Sequence, residues 1–399
     1  APLCGKSILI LGDGAVLIEF ERKSKSFPMD FDTKNQPAAK EVIHLTKELI
    51  RFKTMHSAPD EIRRCADFIL DYLKVHKINH QKFEHNGYPS ILMLPRPCFA
   101  PVLLMSHIDV VDAPDALFDP VEKNGNLYGR GAIDDKYAAA LSLVLLKEHI
   151  RRLEKDGKKA DALPFGILIT SDEEIGGRDG AEKVLENIDV DFCLALDGGT
   201  LDKVVTKEKG LLTLKLIARG KAAHGARPWL GENAILNLIA DYNAIQTEFT
   251  QTQPGHWHRT MNFSKIHAGK SFNQVPDRAE AIFDIRYTED DDPMVLFEML
   301  QRKITGELVI EQKEPMFLGG ESPYLDLLVD LYDDITVGNE HGASDARFLS
   351  VRGITGIVWG ANSDNSAHTL KEHIQLDSLY KLYDRLDTFM EKSAQIRGA

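Results

Sequence analysis

Two histidines and a set of carboxylates decide what chemistry this chain can attempt. His107 and Asp109 lie two apart in Ser106-His107-Ile108-Asp109, just past the apolar run 102–105. Residues two apart on an extended chain share a face, so a metal-binding imidazole there has a carboxylate beside it to fix its tautomer. Taken alone, the pair is equally a polar strand end. Gly129-Arg130-Gly131-Ala132-Ile133-Asp134-Asp135-Lys136 offers a tight turn and then two acids where a helix dipole favours negative charge. A helix start explains it, and a carboxylate bridging two cations is the sharper alternative. Thr170-Ser171-Asp172-Glu173-Glu174-Ile175-Gly176-Gly177 follows the apolar run 165–170. Three adjacent acids repel one another unless a cation or proton relieves them, and in open α/β sheets the carboxyl end of a strand is where ligands bind. Leu196-Asp197-Gly198-Gly199 and Ala367-His368-Thr369-Leu370-Lys371-Glu372 are weaker signals of the same kind.

Together these stretches place nitrogen and oxygen donors at the ends of separate predicted strands, converging on one sheet edge. Imidazole and carboxylate suit Zn²⁺, Co²⁺ or Mn²⁺, and no thiolate takes part. The donor set implies a pair of ions.

The elements that must position these residues are legible from periodicity. From about residue 35, helical patterns alternate with short apolar runs at 91–94, 102–105, 165–170 and 192–196, with a long helix over 137–153. That alternation predicts an α/β fold with a mixed, mostly parallel sheet covered by helices. After about residue 209 the order becomes strand 211–218, helix 232–249, strands 261–267 and 279–287, helix 293–304 and strand 307–311. Asp292-Pro293 is a helix start, an N-cap with proline at the first helical position. The β-α-β-β-α-β order is the split ferredoxin-like unit, expected as an insert. The expected organisation is an N-terminal extension at 1–28, read as a hairpin, a catalytic domain at 29–208 and 320–399, and the insert at 209–319.

Composition narrows the function. Of 399 residues, 48 are Lys or Arg and 61 are Asp or Glu, a net charge of −13 that argues against nucleic-acid or anionic-membrane partners. The four cysteines form no paired frame and read as reduced thiols of a cytoplasmic protein. The apolar stretch 137–146 is about half a bilayer span, and residues 7–11 lack the basic start and cleavage pattern of a signal peptide. Gly12-x-Gly14 lacks the third glycine and following helix of a dinucleotide loop.

Seven spaced motifs, S-H-I-D-V-V, G-R-G-A-I-D-D-K, S-D-E-E-I-G-G, L-D-G-G, G-K-A-A-H-G-A-R-P, N-Q-V-P-D and A-H-T-L-K-E, resemble those of the dinuclear zinc peptidases and deacylases. That family includes aminoacylase, glutamate carboxypeptidase, acetylornithine deacetylase and succinyl-diaminopimelate desuccinylase, and the motifs occur in its order over about residues 35–385. The resemblance implies that Asp134 bridges two divalent ions, Zn²⁺ first with Co²⁺ or Mn²⁺ as alternatives. His107 and Asp197 would complete one ion, and Glu174 and His368 the other. Asp109 would orient His107. Glu173 would be the general base acting on a water between the ions. His224 in the inserted lid would reach an active site, often the neighbouring subunit's, to stabilise the oxyanion. Asn273 and Arg286, with Gly342 and Ser344 in a further loop, would hold the substrate carboxylate. The implied activity is hydrolysis of an amide or peptide bond in a small carboxylate-bearing substrate, such as an N-acyl amino acid or dipeptide, by a homodimer paired through the lid. The alternatives are a desuccinylase-like deacylase and a metal-free binding homologue without activity. Asp112, where the family has proline, and Tyr137, where it has glycine, depart from the pattern.

Overall fold

The computed structural model describes residues 37–396, apart from 252 and 254. The hairpin expected within 1–28 and the Gly12-x-Gly14 loop lie outside the described residues. Helices α1 (Pro37–Ile50) and α2 (Pro59–Val75) lead into β1 (Gln81–His85), β2 (Tyr88–Met93) and β3 (Phe99–His107). Short strands β4 (Val121–Lys123) and β5 (Asn126–Tyr128) precede α3 (Lys136–Lys155), and β6 (Phe165–Thr170), α4 (Lys183–Leu185), β7 (Asp189–Ala195) and β8 (Lys203–Glu208) follow.

A second group then intervenes. It comprises β9 (Gly210–Arg219), β10 (Ala223–His224), α5 (Ala234–Gln246), β11 (Thr260–Ala268), β12 (Gln274–Val275), β13 (Arg278–Tyr287), α6 (Pro293–Arg302) and β14 (Glu307–Glu314). The chain returns through β15 (Phe317–Leu318), α7 (Pro323–Leu331), β16 (Thr336–Glu340), α8 (Arg347–Ser350), β17 (Thr355–Val358), β18 (His373–Gln375) and α9 (Leu376–Ser393).

The main sheet runs β1-β2-β6-β3-β7-β17-β8-β15, with β16 beside β8. Its centre, β6-β3-β7-β17, is parallel, while β1–β2, β2–β6, β17–β8 and β8–β15 pair antiparallel. Helices cover both faces, so the central strands read as unbroken apolar runs rather than alternating ones. Their side chains nevertheless sort by period two: Val102 and Leu104 enter the core under α1, α2, α3 and α9, whereas Leu103 and Met105 enter the core on the opposite face with Phe348 and Leu349. The stretch 137–146 is buried within α3 as a core helix. No helix of the described residues is long and apolar enough to cross a membrane.

The second group forms its own four-stranded antiparallel sheet, β11-β13-β9-β14. Leu212, Leu214, Leu216, Phe283 and Ile285 face Leu238 of α5 and Leu300 of α6 in a separate core. The β-α-β-β-α-β order is as read from the sequence, and Asp292 caps α6 by accepting from the amides of Met294 at 2.7 Å and Val295 at 3.0 Å. The two-residue ladder of β10 with β12, pairing His224 with Gln274, carries too little periodicity to be read beforehand.

Because β3, β6, β7 and β17 run parallel, their carboxyl ends share one edge. His107 ends β3, Glu173 follows β6, Asp197 follows β7 and His368 follows β17. The fold therefore brings four separated motifs to one place.

Candidate active site

His107 is buried, and its two ring nitrogens have different surroundings. Nδ1 lies 3.0 Å from the backbone oxygen of Asp109 and 3.4 Å from its Oδ1. Nε2 faces Asp134 Oδ1 at 3.0 Å, Asp197 Oδ2 at 3.8 Å and Glu173 Oε2 at 4.0 Å, yet has no well-formed hydrogen bond. Nδ1 therefore lies between the carbonyl and the carboxylate of Asp109, nearer the carbonyl. Asp109 Oδ2 accepts from the Glu174 amide at 3.0 Å and lies 2.9 Å from His56 Nε2. Burial raises the Asp109 carboxyl, but the bonds from His107 and His56 outweigh it and hold the group well below the usual carboxylate range.

Asp134 divides its oxygens. Oδ1 faces His107, and Oδ2 lies 2.8 Å from His368 Nε2, which is also 3.2 Å from Glu174 Oε1. His368 sits at φ 61°, a left-handed conformation uncommon outside glycine, so its backbone is held by what surrounds it. Two donor groups result, His107 with Asp134 and Asp197, and Asp134 with Glu174 and His368. Within each group the candidate ligand atoms lie within 4.8 Å of one another. Burial, and then the neighbouring Asp134, push Asp197 well above its ordinary value, and burial and Asp197 do the same to Glu173. Crowded, partly buried carboxylates around a buried histidine nitrogen without a well-formed hydrogen bond are what a divalent cation relieves, and the all-N/O donor set fits that cation.

The adjacent acids of the Ser-Asp-Glu-Glu run part company. Glu174 accepts from the Val111 amide at 3.2 Å and faces His368, while Glu173 faces His107 on one side and Arg347, at 3.9 Å, on the other. Asp172 does not join them. It accepts from the amides of Asp179 at 2.9 Å and Gly180 at 3.0 Å, closing the turn after Gly177. Gly177, at φ 65°, admits no side chain, because a Cβ there would lie 2.0 Å from Asp345 Oδ1. Asp135 likewise leaves the helix end, accepting from the His107 amide at 3.3 Å.

Some supporting residues were not anticipated. Buried Glu372 accepts from the Gly131 amide at 2.7 Å and pairs closely with Arg130, tying the loop that carries Asp134 to the segment that carries His368. Its position in A-H-T-L-K-E was visible, but nothing in that motif marked its partner. His56, from the loop between α1 and α2, carries no motif at all. Both departures from the family pattern are structural. Asp112 accepts from Ser57 Oγ at 2.8 Å, and Tyr137, fully buried, donates to the Leu196 carbonyl at 2.6 Å and accepts from the Ala361 amide at 3.2 Å.

Of the residues expected at the substrate end, Ser344 lines the hollow beside His107, Glu173 and Asp197, and His224, Asn273, Arg286 and Gly342 do not. His224 is exposed, with its Nδ1 accepting from the Ala226 amide at 3.1 Å. Asn273 Oδ1 accepts from Ser271 Oγ at 2.6 Å, and Arg286 is bound to Asp284 at 2.9 and 3.2 Å. Gly342 lies in an exposed loop, and Ser344 turns inward, its amide and hydroxyl donating to Glu208 at 3.0 and 2.7 Å. A cavity of about 370 Å³ beside Tyr242, Phe249 and His341 contains none of the clustered donors.

This is the site of a hydrolase that works with bound cations, set on the carboxyl edge of a parallel sheet. Residues 103–392 match the model described as Peptidase family M20/M25/M40, and the chain belongs to that family. It is a metal-dependent amide-bond hydrolase. The chain is 27% identical over 381 residues to a succinyl-diaminopimelate desuccinylase of Wolbachia pipientis subsp. Culex pipiens, covering 85% of this chain and 90% of that protein. In fold it is similar to a tripeptidase from Staphylococcus aureus, with TM-score 0.70 and 20% identity over 90% of this chain and 99% of that one. It is also similar to an M20 family metallo-carboxypeptidase from Sulfolobus solfataricus, with TM-score 0.71 and 19% identity over 89% of this chain and 100% of that one.

Proposed function

We propose that the chain hydrolyses the amide bond of a small substrate with a free carboxylate, an N-acyl amino acid or a dipeptide. The observation that carries this reading is the pair of three-residue donor groups sharing Asp134. His107, Asp134 and Asp197 would hold one divalent ion and Asp134, Glu174 and His368 the other, with Zn²⁺ the first choice and Co²⁺ or Mn²⁺ next. When bound, such ions supply Lewis acidity and make water a nucleophile near neutral pH. Glu173 is the general base, taking a proton from the attacking water and returning it to the leaving nitrogen. Burial raises this carboxyl, which suits a group that must hold that proton between steps. Asp109 orients His107.

The 210–314 unit serves as lid and dimerisation domain, the chain acting as a cytoplasmic homodimer. Leu236 and Ile239 on α5 and Ile266 on the outer strand β11 are exposed, as are Trp229, Leu230 and Phe272 near His224. Apolar side chains along an open strand edge favour a partner. From that lid His224 stabilises the oxyanion, while Arg286, Asn273, Gly342 and Ser344 recognise the carboxylate. The relatives named desuccinylases favour one further reading, removal of a succinyl group.

A hydrolysis screen of N-acetyl and N-succinyl amino acids and dipeptides, each with its amidated analogue and with defined Zn²⁺, Co²⁺ or Mn²⁺, tests the proposal. Turnover of acids over amides, lost in Arg286→Lys, is expected, because lysine keeps the charge without the fork. Equal turnover of acids and amides would remove the carboxylate reading, and a preference confined to succinyl substrates would select the desuccinylase reading.

A further inference from the structure

The chain enters the 210–314 unit between β8 and β9 and leaves it between β14 and β15, and each crossing is marked by a buried carboxylate. Glu208 ends β8 and Glu314 ends β14. Neither belongs to the metal cluster. Glu208 holds the amide and hydroxyl of Ser344, while Glu314 accepts from Arg178 at 2.7 Å and stands 3.7 Å from Arg347 Nε. Three residues beyond Ser344, Arg347 turns back and donates to the Ser344 carbonyl at 2.7 Å and to the Gly176 carbonyl at 2.8 Å. Gly176 closes the turn that begins at Glu173.

Arg347 is itself buried, and its charge is not met by any direct bond to an acid. Asp345, Glu314 and Glu173 stand 3.6, 3.7 and 3.9 Å away, and Nε has no hydrogen-bond partner. A buried guanidinium in this state gains by closing on any of the three. Its fork is rigid, so a shift of a few tenths of an ångström that brings Nε onto Glu314 also moves the two nitrogens facing Gly176 and Glu173.

We propose that Arg347 is a positioning residue that couples the lid hinge to the general base: displacement of the hinge carboxylate Glu314 moves Arg347, and Arg347 sets the 173–177 turn and the aim of Glu173. Lid closure and alignment of the base are then one event. The inference rests on the readings of Glu173 as the base and of the 210–314 unit as a closing lid.

The test uses the full-length, metal-loaded enzyme and two readouts, amide hydrogen exchange in the peptide covering 172–178 and the separate values of kcat and KM. The variants are Arg347→Lys, Glu314→Gln, their combination, and the control Glu311→Gln, which alters only an exposed partner of Lys215 on the same strand. Arg347→Lys and Glu314→Gln should each speed exchange in 172–178 by roughly 5-fold or more and lower kcat about 10-fold with KM changed less than about 3-fold, metal content staying intact. The double variant should lose little beyond the worse single one, since residues acting in one chain of contacts are not additive. The control should match wild type. Wild-type exchange and kcat in Glu314→Gln, or losses that multiply in the double variant, overturn the coupling, and Glu314→Gln alone decides if Arg347→Lys does not fold. A fully active Glu173→Gln enzyme would instead remove the base assignment, leaving faster exchange in Glu314→Gln as evidence for the mechanical link.

Discussion

Asp134 Oδ2 meets His368 Nε2 at 2.8 Å, joining the start of α3 to the segment after β17 through a single carboxylate whose other oxygen faces His107. Without a bound cation, Asp134 and then Glu174 hold the imidazole of His368 protonated, its pKa pushed up to about 10.

Metal binding should therefore release protons. The His368 value lies above neutral pH, so an entering ion must displace a proton there, and apparent affinity should rise about tenfold per pH unit per displaced proton between pH 6 and 9. Calorimetric titration of stripped protein with Zn²⁺ in buffers of different ionisation enthalpy reads the released protons directly. Heats independent of buffer, with affinity independent of pH, would show that His368 is not a ligand.

Glu173→Gln keeps the size of the side chain and removes its ability to accept a proton. The expected outcome is a fall in kcat of ~10² to 10⁴ with metal content unchanged. Loss of metal in place of turnover would mean that Glu173 and Glu174 have exchanged roles.

Tyr137→Phe probes why this chain carries a tyrosine where the family has glycine. The hydroxyl holds both the Leu196 carbonyl, one residue before Asp197, and the Ala361 amide. Its removal leaves buried polar groups unpaired, at about 1–3 kcal/mol, measurable as a lowered denaturant midpoint. An unchanged midpoint would show that Leu196 and Ala361 find other partners.

On the proposed oxyanion role of His224, His224→Ala should lower turnover by roughly 10² or more with metal content intact. Mixing His224→Ala with Glu173→Gln chains should restore activity, because a hybrid dimer has one site with both residues intact. Mixed dimers without activity, or a monomer in solution, would place any action of His224 within its own chain.

The donor cluster was legible in part because His107, Glu173 and Asp197 each follow an apolar run and a parallel sheet has one edge for such ends, whereas Asp134 before α3 and His368 well past β17 stand out only through the family's motifs. His107, Asp134, Glu173, Glu174, Asp197 and His368 are legible from that pattern and the family's motifs taken together. Asp172 belonged to the same acidic run and was not separable from it, because only the turn at Gly177 sends its carboxylate to the amides of Asp179 and Gly180. His56, Arg130 and the partner of Glu372 were not legible. Their contacts join segments far apart in sequence, and no local period records such a pairing. Arg347 carries no signal in the sequence of its contacts to the carbonyls of Ser344 and Gly176, the second of which lies far away along the chain.

The central claim, one carboxylate shared by two ions in a working hydrolase, is tested most directly by counting tightly bound Zn²⁺ per chain in stripped and refilled wild type and Asp134→Ala. A shared ligand serves both sites, so wild type should bind two ions and Asp134→Ala should lose both, with far-ultraviolet circular dichroism unchanged. An Asp134→Ala protein that still binds two ions tightly would contradict the account.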